Sequence, residues 1–514
     1  MNAYDAIILG SGHNGLILQA YLGRAGLSTI CLERRDEIGG GLTTEQQPPG
    51  SGFLHNTHSF FHRALNRMPW YEDLDLANHG AVYIQPDLNV AMILRDGRVL
   101  EWWTDFDKTV TSFAKFSTRD ASTLARWRDA FRPIVQDILV PEAQSPPLSP
   151  GQREAQLNQS NDGRLLLETS QLSPLEFVQR EFESPIVQAG LLFFNGLREV
   201  DLRLKGFGHH IPALLASDGM AQMCLGGAQQ LAQSLASVIR GTGGVIQTGT
   251  LPKRILVENG RAVGVQTTDG DVVRANKLIA SSLNPQQTFV DLIDEQHLPG
   301  PWREKARQFQ YNLLAPLFAL NLNLSEPPDY GDAVSKDAFM VILGLEDVGQ
   351  FLKIVDHHER GSIPPTVMWG SCPTRFDSSQ APTDGHTAFM WEKLPYQLNG
   401  DPANWDAEKD KHGQQMLQLW AKYAPNVASA NHSFTRSPLD VERMLWNMYG
   451  GDLLIGAFGN GQIGFHRPFP GAGHYRGHLG GLYLCGSCCH PGGNITGLPA
   501  YNAAHVILAD LGLN

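Results

Sequence analysis

Residues 6–15 read Ala6-Ile7-Ile8-Leu9-Gly10-Ser11-Gly12-His13-Asn14-Gly15, and Glu33 closes the next apolar run. An apolar strand, a glycine turn, a helix, a second strand and an acidic end residue follow one another in that order. Gly10 permits the tight turn, Gly12 lets the main chain approach a pyrophosphate, and Gly15 lets the helix pack closely on the sheet. The helix start, with Ser11, His13 and Asn14 in its loop, offers unpaired N–H groups and a positive dipole end to phosphates. Glu33, about 20 residues on, is placed to accept hydrogen bonds from ribose hydroxyls. A bare G-x-G-x-x-G occurs in many glycine-rich loops. Flanked on both sides in this way, it predicts a dinucleotide site on an α/β, Rossmann-type domain.

The rest of the composition sets limits. At 514 residues the chain exceeds one ordinary core, so at least two domains are expected. A hydrophobic content of 42% and a mean hydropathy of −0.21 fit a globular protein. The net charge of −12, with no basic cluster to offset it, argues against a nucleic-acid partner. No apolar run is long enough to span a bilayer, and the first apolar residues belong to a strand rather than a signal peptide. Six cysteines in so long a chain do not make a disulfide framework and suit a reducing compartment. The cytoplasm is the expected location, and contact with a membrane surface stays open.

Further along, Val90–Leu94 ahead of Arg95-Asp96-Gly97 predicts a hairpin. Residues 141–163, rich in Pro, Gln, Ser and Asn, are expected to form an exposed loop or mobile lid. After Leu225-Gly226-Gly227-Ala228, the spacing of Leu231, Leu235, Val238 and Ile239 predicts a helix. Strands are expected at 245–248, 254–257, 262–266 and 277–280. A last strand near Leu482–Leu484 leads into a helix near Pro499–Leu511. The nucleotide domain is therefore expected from three segments, 1–70, 220–290 and 441–514. The intervening 71–219 and 291–440 are left for an inserted mixed α+β substrate domain.

Three motifs carry a family resemblance: Gly10 to Gly41, Gly226 to Ala280, and Leu482-Tyr483-Leu484-Cys485-Gly486-Ser487 with His490-Pro491-Gly492-Gly493, Gly497 and Asn502-Ala503-Ala504. Together they resemble FAD-dependent oxidoreductases of the phytoene desaturase and retinol saturase type, within the glutathione reductase-like and amine oxidase-like flavoproteins. The resemblance implies an FAD site formed by Gly10–Gly15, Glu33-Arg34-Arg35, Gly39-Gly40-Gly41-Leu42, Pro252, Gly486-Ser487, Gly497-Leu498 and Asn502. It aims the helix after Gly497 at the flavin pyrimidine edge, where its dipole favours negative charge on the reduced ring. Pro252 departs from the family's usual valine and lacks the N–H that would hold the adenine. One neutral bond, about 0.5–1.5 kcal/mol, is too little to abolish binding.

The implied activity is dehydrogenation of a C–C bond of a fairly apolar substrate, terpenoids and polyenes among the candidates, by hydride transfer to flavin N5. A saturase or isomerase, an amine (C–N) oxidase, and a non-enzymatic protein like the GDP-dissociation inhibitors are the alternatives. His490 and His58 are the candidate bases. The electron acceptor is expected to be oxygen, a quinone or a carrier protein. The sequence leaves the oligomeric state open.

Other patterns weigh less. Gly459-Asn460-Gly461-Gln462-Ile463-Gly464 repeats the glycine spacing after the strand-like Leu453–Ile455, but Pro468 and Pro470 do not start an amide-lined helix. Cys485, Cys488 and Cys489 are expected as packed free thiols, and His55, His58 and His62 as ordinary or cavity-lining histidines, with no metal. Gly190–Phe194 and Leu313–Leu320 fit either a lipophilic tunnel or core, with core the safer reading. Arg467 fits either a cavity or an ion pair.

Overall fold

The computed structural model describes residues 3–196, 200–331, 334–459 and 461–513, without the side chains of 194–196. The side chain of Phe194, in the expected tunnel stretch, and the whole of Asn460, in the second glycine motif, therefore lie outside that description.

Two seven-stranded sheets organise those residues. In chain order their strands are β1 (Ala3–Leu9), β2 (Thr29–Leu32), β3 (Leu88–Ile93), β4 (Val99–Trp103), β5 (Val245–Gln247), β6 (Pro252–Glu258), β7 (Arg261–Thr267), β8 (Val272–Ser281), β9 (Leu317–Leu324), β10 (Met340–Leu343), β11 (Met368–Ser371), β12 (His386–Lys393), β13 (His432–Arg436) and β14 (Leu482–Leu484).

The first sheet runs β5-β2-β1-β8-β7-β6, with β14 joined to β8. β5, β2, β1, β8 and β14 are mutually parallel, whereas β6 and β7 form an antiparallel hairpin around Glu258-Asn259-Gly260. Parallel neighbours need crossovers, and helices His13–Arg24 and Gln229–Gly241 belong to them. Ala6, Ile7, Ile8 and Leu9 are completely buried, as a central strand covered on both faces requires. Helix Leu498–Asp510 packs back on the first helix, with Tyr501 edge-on to Tyr21. Leu74, Leu76, Ala81, Leu292, Leu298 and Phe309 pack in the same core, which thus extends past the boundaries expected at 70 and 290.

The second sheet runs β13-β9-β12-β11-β10-β3-β4 and is antiparallel except where β10 meets β3. Its β3–β4 hairpin is the one expected at Arg95-Asp96-Gly97. Alternation sends successive side chains to opposite faces. Leu317, Trp391, Trp369, Ile342 and Val90 face helices Thr118–Ile134, Pro185–Gly196 and His210–Ala216. Phe318, Met390, Met368, Val341 and Ala91 face Trp405 and Trp420 of helix Trp405–Trp420.

Two expectations fail here. Residues 141–163 are not a loop. A π-helical turn, Val135–Leu139, runs into Val140–Ala143, and helices Pro150–Leu157 and Asn161–Ser170 follow. Glu142 holds Arg153 by two bonds of 2.7 and 2.9 Å, and Ser149 donates twice to Gln152 Oε1. Long-range tethers complete this strap: His490 Nε2 reaches the Glu142 carbonyl at 2.9 Å, and Asn502 Nδ2 the Ala143 carbonyl at 3.0 Å.

Leu453–Ile455 is likewise no strand. Asp452, completely buried, accepts the N–H groups of Leu454, Ile455 and Gly456 and folds the run into a turn. Arg467, also completely buried, donates to the carbonyls of Ala457, Gln462, Ile455, Gly456 and Ser487. The carbonyls that lead into the second glycine motif, and that of Gln462 within it, are thus turned to a guanidinium. Among the described residues, no helix is long and apolar enough to cross a membrane.

Candidate active site

The glycine turn leaves β1 at Gly10, whose φ of +87° suits a residue without Cβ. A Cβ on Gly15 would lie 2.0 Å from the Gly10 carbonyl oxygen, so helix and turn touch backbone to backbone. Beside Gly12 the space is open for 4 Å. Glu33 Oε2 accepts Ser11 N–H and Oγ–H, both at 2.8 Å, and its Oε1 accepts the Arg35 N–H at 2.9 Å. Gly39 N–H donates to the Ser11 carbonyl at 2.8 Å, which sets Gly40 against Gly12.

These parts open onto a chamber of about 330 Å³ at the carboxyl ends of β1, β2 and β8. This is where an open parallel sheet binds its ligands. Gly10, Gly12, His13 and Asn14 line it from the turn, and Glu33, Arg34 and Arg35 from the end of β2. Gly40, Gly41, Pro252 and Ser487 complete the expected residues found there. The remaining expected residues stand behind the wall. Ser11 is spent on Glu33, Gly15 packs on the Gly10 main chain, Gly39 lies against the Ala232 and Gln229 side chains, and Leu42 is completely buried. A Cβ on Gly486 would meet the Ser282 carbonyl, and one on Gly497 would meet the Trp70 indole. Leu498 is buried outside both chambers, and Asn502 is committed to the strap.

Sequence reasoning missed Ser282 and Leu283, although they lie one residue beyond the expected strand 277–280, and Trp446 to Met448, which no local pattern marks. Arg34 lies 4.4 Å from the Trp446 ring and donates to the Met444 carbonyl.

Residues of this chamber fit FAD. Asn14 Nδ2 donates to Ser487 Oγ at 3.1 Å, while Asn14 Oδ1 and His13 Nε2 are buried with no hydrogen-bond partner. Burial holds His13 down at about 4, against a smaller opposing contact with the Asn494 main chain, so its ring is neutral. Open space at Gly12, amides at a helix start, unmet polar atoms and an acidic residue at the end of β2 match pyrophosphate and ribose.

A second chamber, about 790 Å³, adjoins the first. Gly41, Met448, Leu453, Asn494 and Ile495 border both. Its walls carry Phe60, Phe61, Trp369 and Trp391, with Leu317 from the stretch given to tunnel or core. Lys393 also lines it, its Nζ donating to the Ala315 carbonyl at 2.7 Å.

His58 lies in this chamber, 6% exposed, with Nδ1 2.9 Å from Thr57 Oγ1 and Nε2 without a partner. Burial, then the positive charges of Arg35 and Arg436, hold it down at about 3. His55 is bonded to Asn323, and His62 to Tyr83 and Ser59. No group of ligands for a metal exists among the described residues. His490 borders neither chamber, its Nε2 turned to the strap. The six cysteines are free, with Cys488 and Cys489 sulfurs 3.9 Å apart in the core. Arg467 turns to carbonyls instead of the chamber.

A doubly wound nucleotide domain adjoining a chamber with aromatic walls fits an FAD-dependent oxidoreductase. Comparison with known proteins places the chain in a family: residues 15–403 match the flavin containing amine oxidoreductases, and the chain belongs to them. It is 28% identical to one of the subunits of limonene dehydrogenase from Castellaniella defragrans, over 99% of this chain and 95% of that one. It is 24% identical to a lycopene-forming phytoene desaturase of Paracoccus sp., over 99% of both chains. Among solved structures, cyclohexylamine oxidase of Brevibacterium oxydans superposes with a TM-score of 0.63 at 16% identity, over 99% of each chain.

Proposed function

We propose that this enzyme dehydrogenates a C–C bond of a terpenoid or polyene held in the second chamber. The observation that carries the reading is the border of five residues common to the two chambers, which brings a cofactor site against a cavity walled in part by aromatic side chains. The names of two full-length relatives, a limonene dehydrogenase component and a phytoene desaturase, support a hydrocarbon substrate.

FAD bound in the first chamber supplies an acceptor for a hydride. The chain's own residues do the rest. Gly12, Asn14 and the helix start bind the phosphates, and Glu33 the ribose. Phe60, Trp369 and Trp391 exclude water and hold an apolar chain in place, so that proximity and dryness lower the barrier. Loss of a hydride leaves the substrate electron-poor and the neighbouring C–H acidic. A neutral imidazole suffices to take that proton, and His58, which lines the chamber with its buried Nε2 unpartnered, is the residue we assign to it. The electrons pass on to oxygen, a quinone or a carrier protein.

Anaerobic mixing of the FAD-loaded enzyme with limonene and with acyclic terpenes tests the reading. Loss of the oxidised flavin's visible absorbance, with a product two hydrogens lighter, is expected. Bleaching by amines alone would make the enzyme a C–N oxidase, and a colourless protein that takes up no FAD would overturn the reading altogether.

A further inference from the structure

We infer that the far end of the first chamber holds the base of its dinucleotide by stacking on a platform made of Arg34 and Trp446, and that it does not read which base is there. The inference concerns the cofactor alone and stands apart from the substrate proposed for the second chamber.

The order of groups along the chamber places the base. The glycine turn takes the pyrophosphate and Glu33 the ribose, while Gly41, Met448, Leu453, Asn494 and Ile495 border the second chamber at the flavin end. The wall on the other side of Glu33 includes Arg34, Leu251, Pro252, Lys253, Leu292 and Trp446. Its main chain is poorly equipped to read a base edge. Thr250 N–H is given to the Glu33 carbonyl at 2.7 Å, and the Leu251 carbonyl accepts the Thr268 N–H at 3.0 Å. Pro252 has no N–H to give.

The faces of a base are better served. Trp446 is the one exposed tryptophan among the described residues, at 50%. Its main chain is nevertheless pinned. Gln287 Nε2 donates to the Trp446 carbonyl at 2.9 Å, Asn284 N–H to Asn447 Oδ1 at 2.6 Å, and Asn447 Nδ2 to the Ser282 carbonyl at 3.2 Å. A fixed backbone thus holds a half-bare indole at the chamber wall. The Arg34 guanidinium lies 4.4 Å from that ring and is itself held by a bond of 2.8 Å to the Met444 carbonyl. A guanidinium on an aromatic face makes a flat, weakly hydrated surface, and Leu251, Pro252 and Leu292 add apolar area to the same space. Every base has a π-face, so stacking on such a surface tolerates them all. A site built on edge contacts would instead reject a base that lacks the partner group.

Exchanging the base tests this. The full-length protein, freed of FAD, is dialysed to equilibrium against FAD and against the flavin dinucleotide that carries hypoxanthine in place of adenine, with bound flavin read by absorbance. The two are expected to bind within about threefold of each other, because stacking does not depend on the exocyclic amino group. Trp446→Ala is expected to weaken both by about tenfold or more, and Trp446→Phe, which keeps a ring, to stay within about threefold of wild type. Neither substitution should move the urea midpoint of the FAD-free protein, since the ring is half exposed. A preference for adenine of about tenfold or more would hand the reading to Lys253 and Asp291, which also border this space, and overturn the inference. So would FAD binding that Trp446→Ala leaves unchanged, or a loss that Trp446→Phe shares in full or that comes with a lowered midpoint.

Discussion

His58 shows how position changes the chemistry of a side chain. In water its imidazole would be half-charged near neutrality. Inside the chamber it is held at about 3 by burial and by Arg35 and Arg436, so it stays neutral over the whole working range. His58→Gln is expected to slow anaerobic flavin reduction by about a hundredfold or more, with FAD binding unchanged. The wild-type rate should carry no acidic limb from this group above about pH 5. A limb near the ordinary histidine value that vanishes in the variant would rule out the neutral-base role. His490, by contrast, enters the candidate set through its place in the HPGG run. Its neighbour in space is a carbonyl of the strap, more than 300 residues away in sequence (|i−j| = 348), and nothing local announces that contact.

At the scale of elements, legibility follows the source of each element's stability. β1, β2, β7 and β8 are apolar runs bounded by glycine turns, and the helix Gln229–Gly241 has its buried residues at helical spacing. Their signals are local, and they are readable. The strap is not. Its composition is polar, and its order comes from tethers on the far side of the molecule. One signal is available: Ser149 followed by Pro150 and Gln152 is a helix start. Leu453–Ile455 misleads for the opposite reason. Its composition suits a strand, but Asp452 and Arg467 have taken the amides and carbonyls that a ladder would use. The chamber wall at Trp446–Met448 has no signature, because contact with a cofactor leaves no periodicity.

The strap can be tested as an element. Asn502→Ala removes the donor that holds the Ala143 and Ser145 carbonyls. We expect a stability loss of about 1 kcal/mol, faster limited proteolysis between 143 and 150, and unchanged FAD affinity. Weakened FAD binding with an unaltered cleavage pattern would instead assign Asn502 to the cofactor, as the family resemblance implies.

Across the whole molecule, buried neutral histidines set the response to acid. His13, His55, His358 and His490 are held down at about 4, and His58 and His62 at about 3, burial being the first cause in each. Unfolded, each would titrate near 6.5. Between those values the unfolded chain binds more protons than the folded one, so stability falls as pH drops. Each such group contributes up to about 1.4 kcal/mol per pH unit in that window. Glu392, Asp452 and Asp291, raised by burial, act in the opposite direction but are three, against these six histidines and His209, which burial also holds well down. Urea midpoints of the FAD-free protein should decline steadily from about pH 6.5 to about pH 4.5. A flat profile would contradict this balance.

The pairing of Asn14 with Ser487 has a consequence for how the enzyme is made. The two residues lie 473 positions apart, and β14 joins the sheet only beside β8. A ribosome that has finished the glycine turn has produced the signature of a nucleotide site but not its enclosure. The nascent chain must carry that half-built cradle through synthesis of the entire second sheet before Ser487 emerges. Enclosure of FAD by both Asn14 and Ser487 therefore has to wait until that second residue has been made.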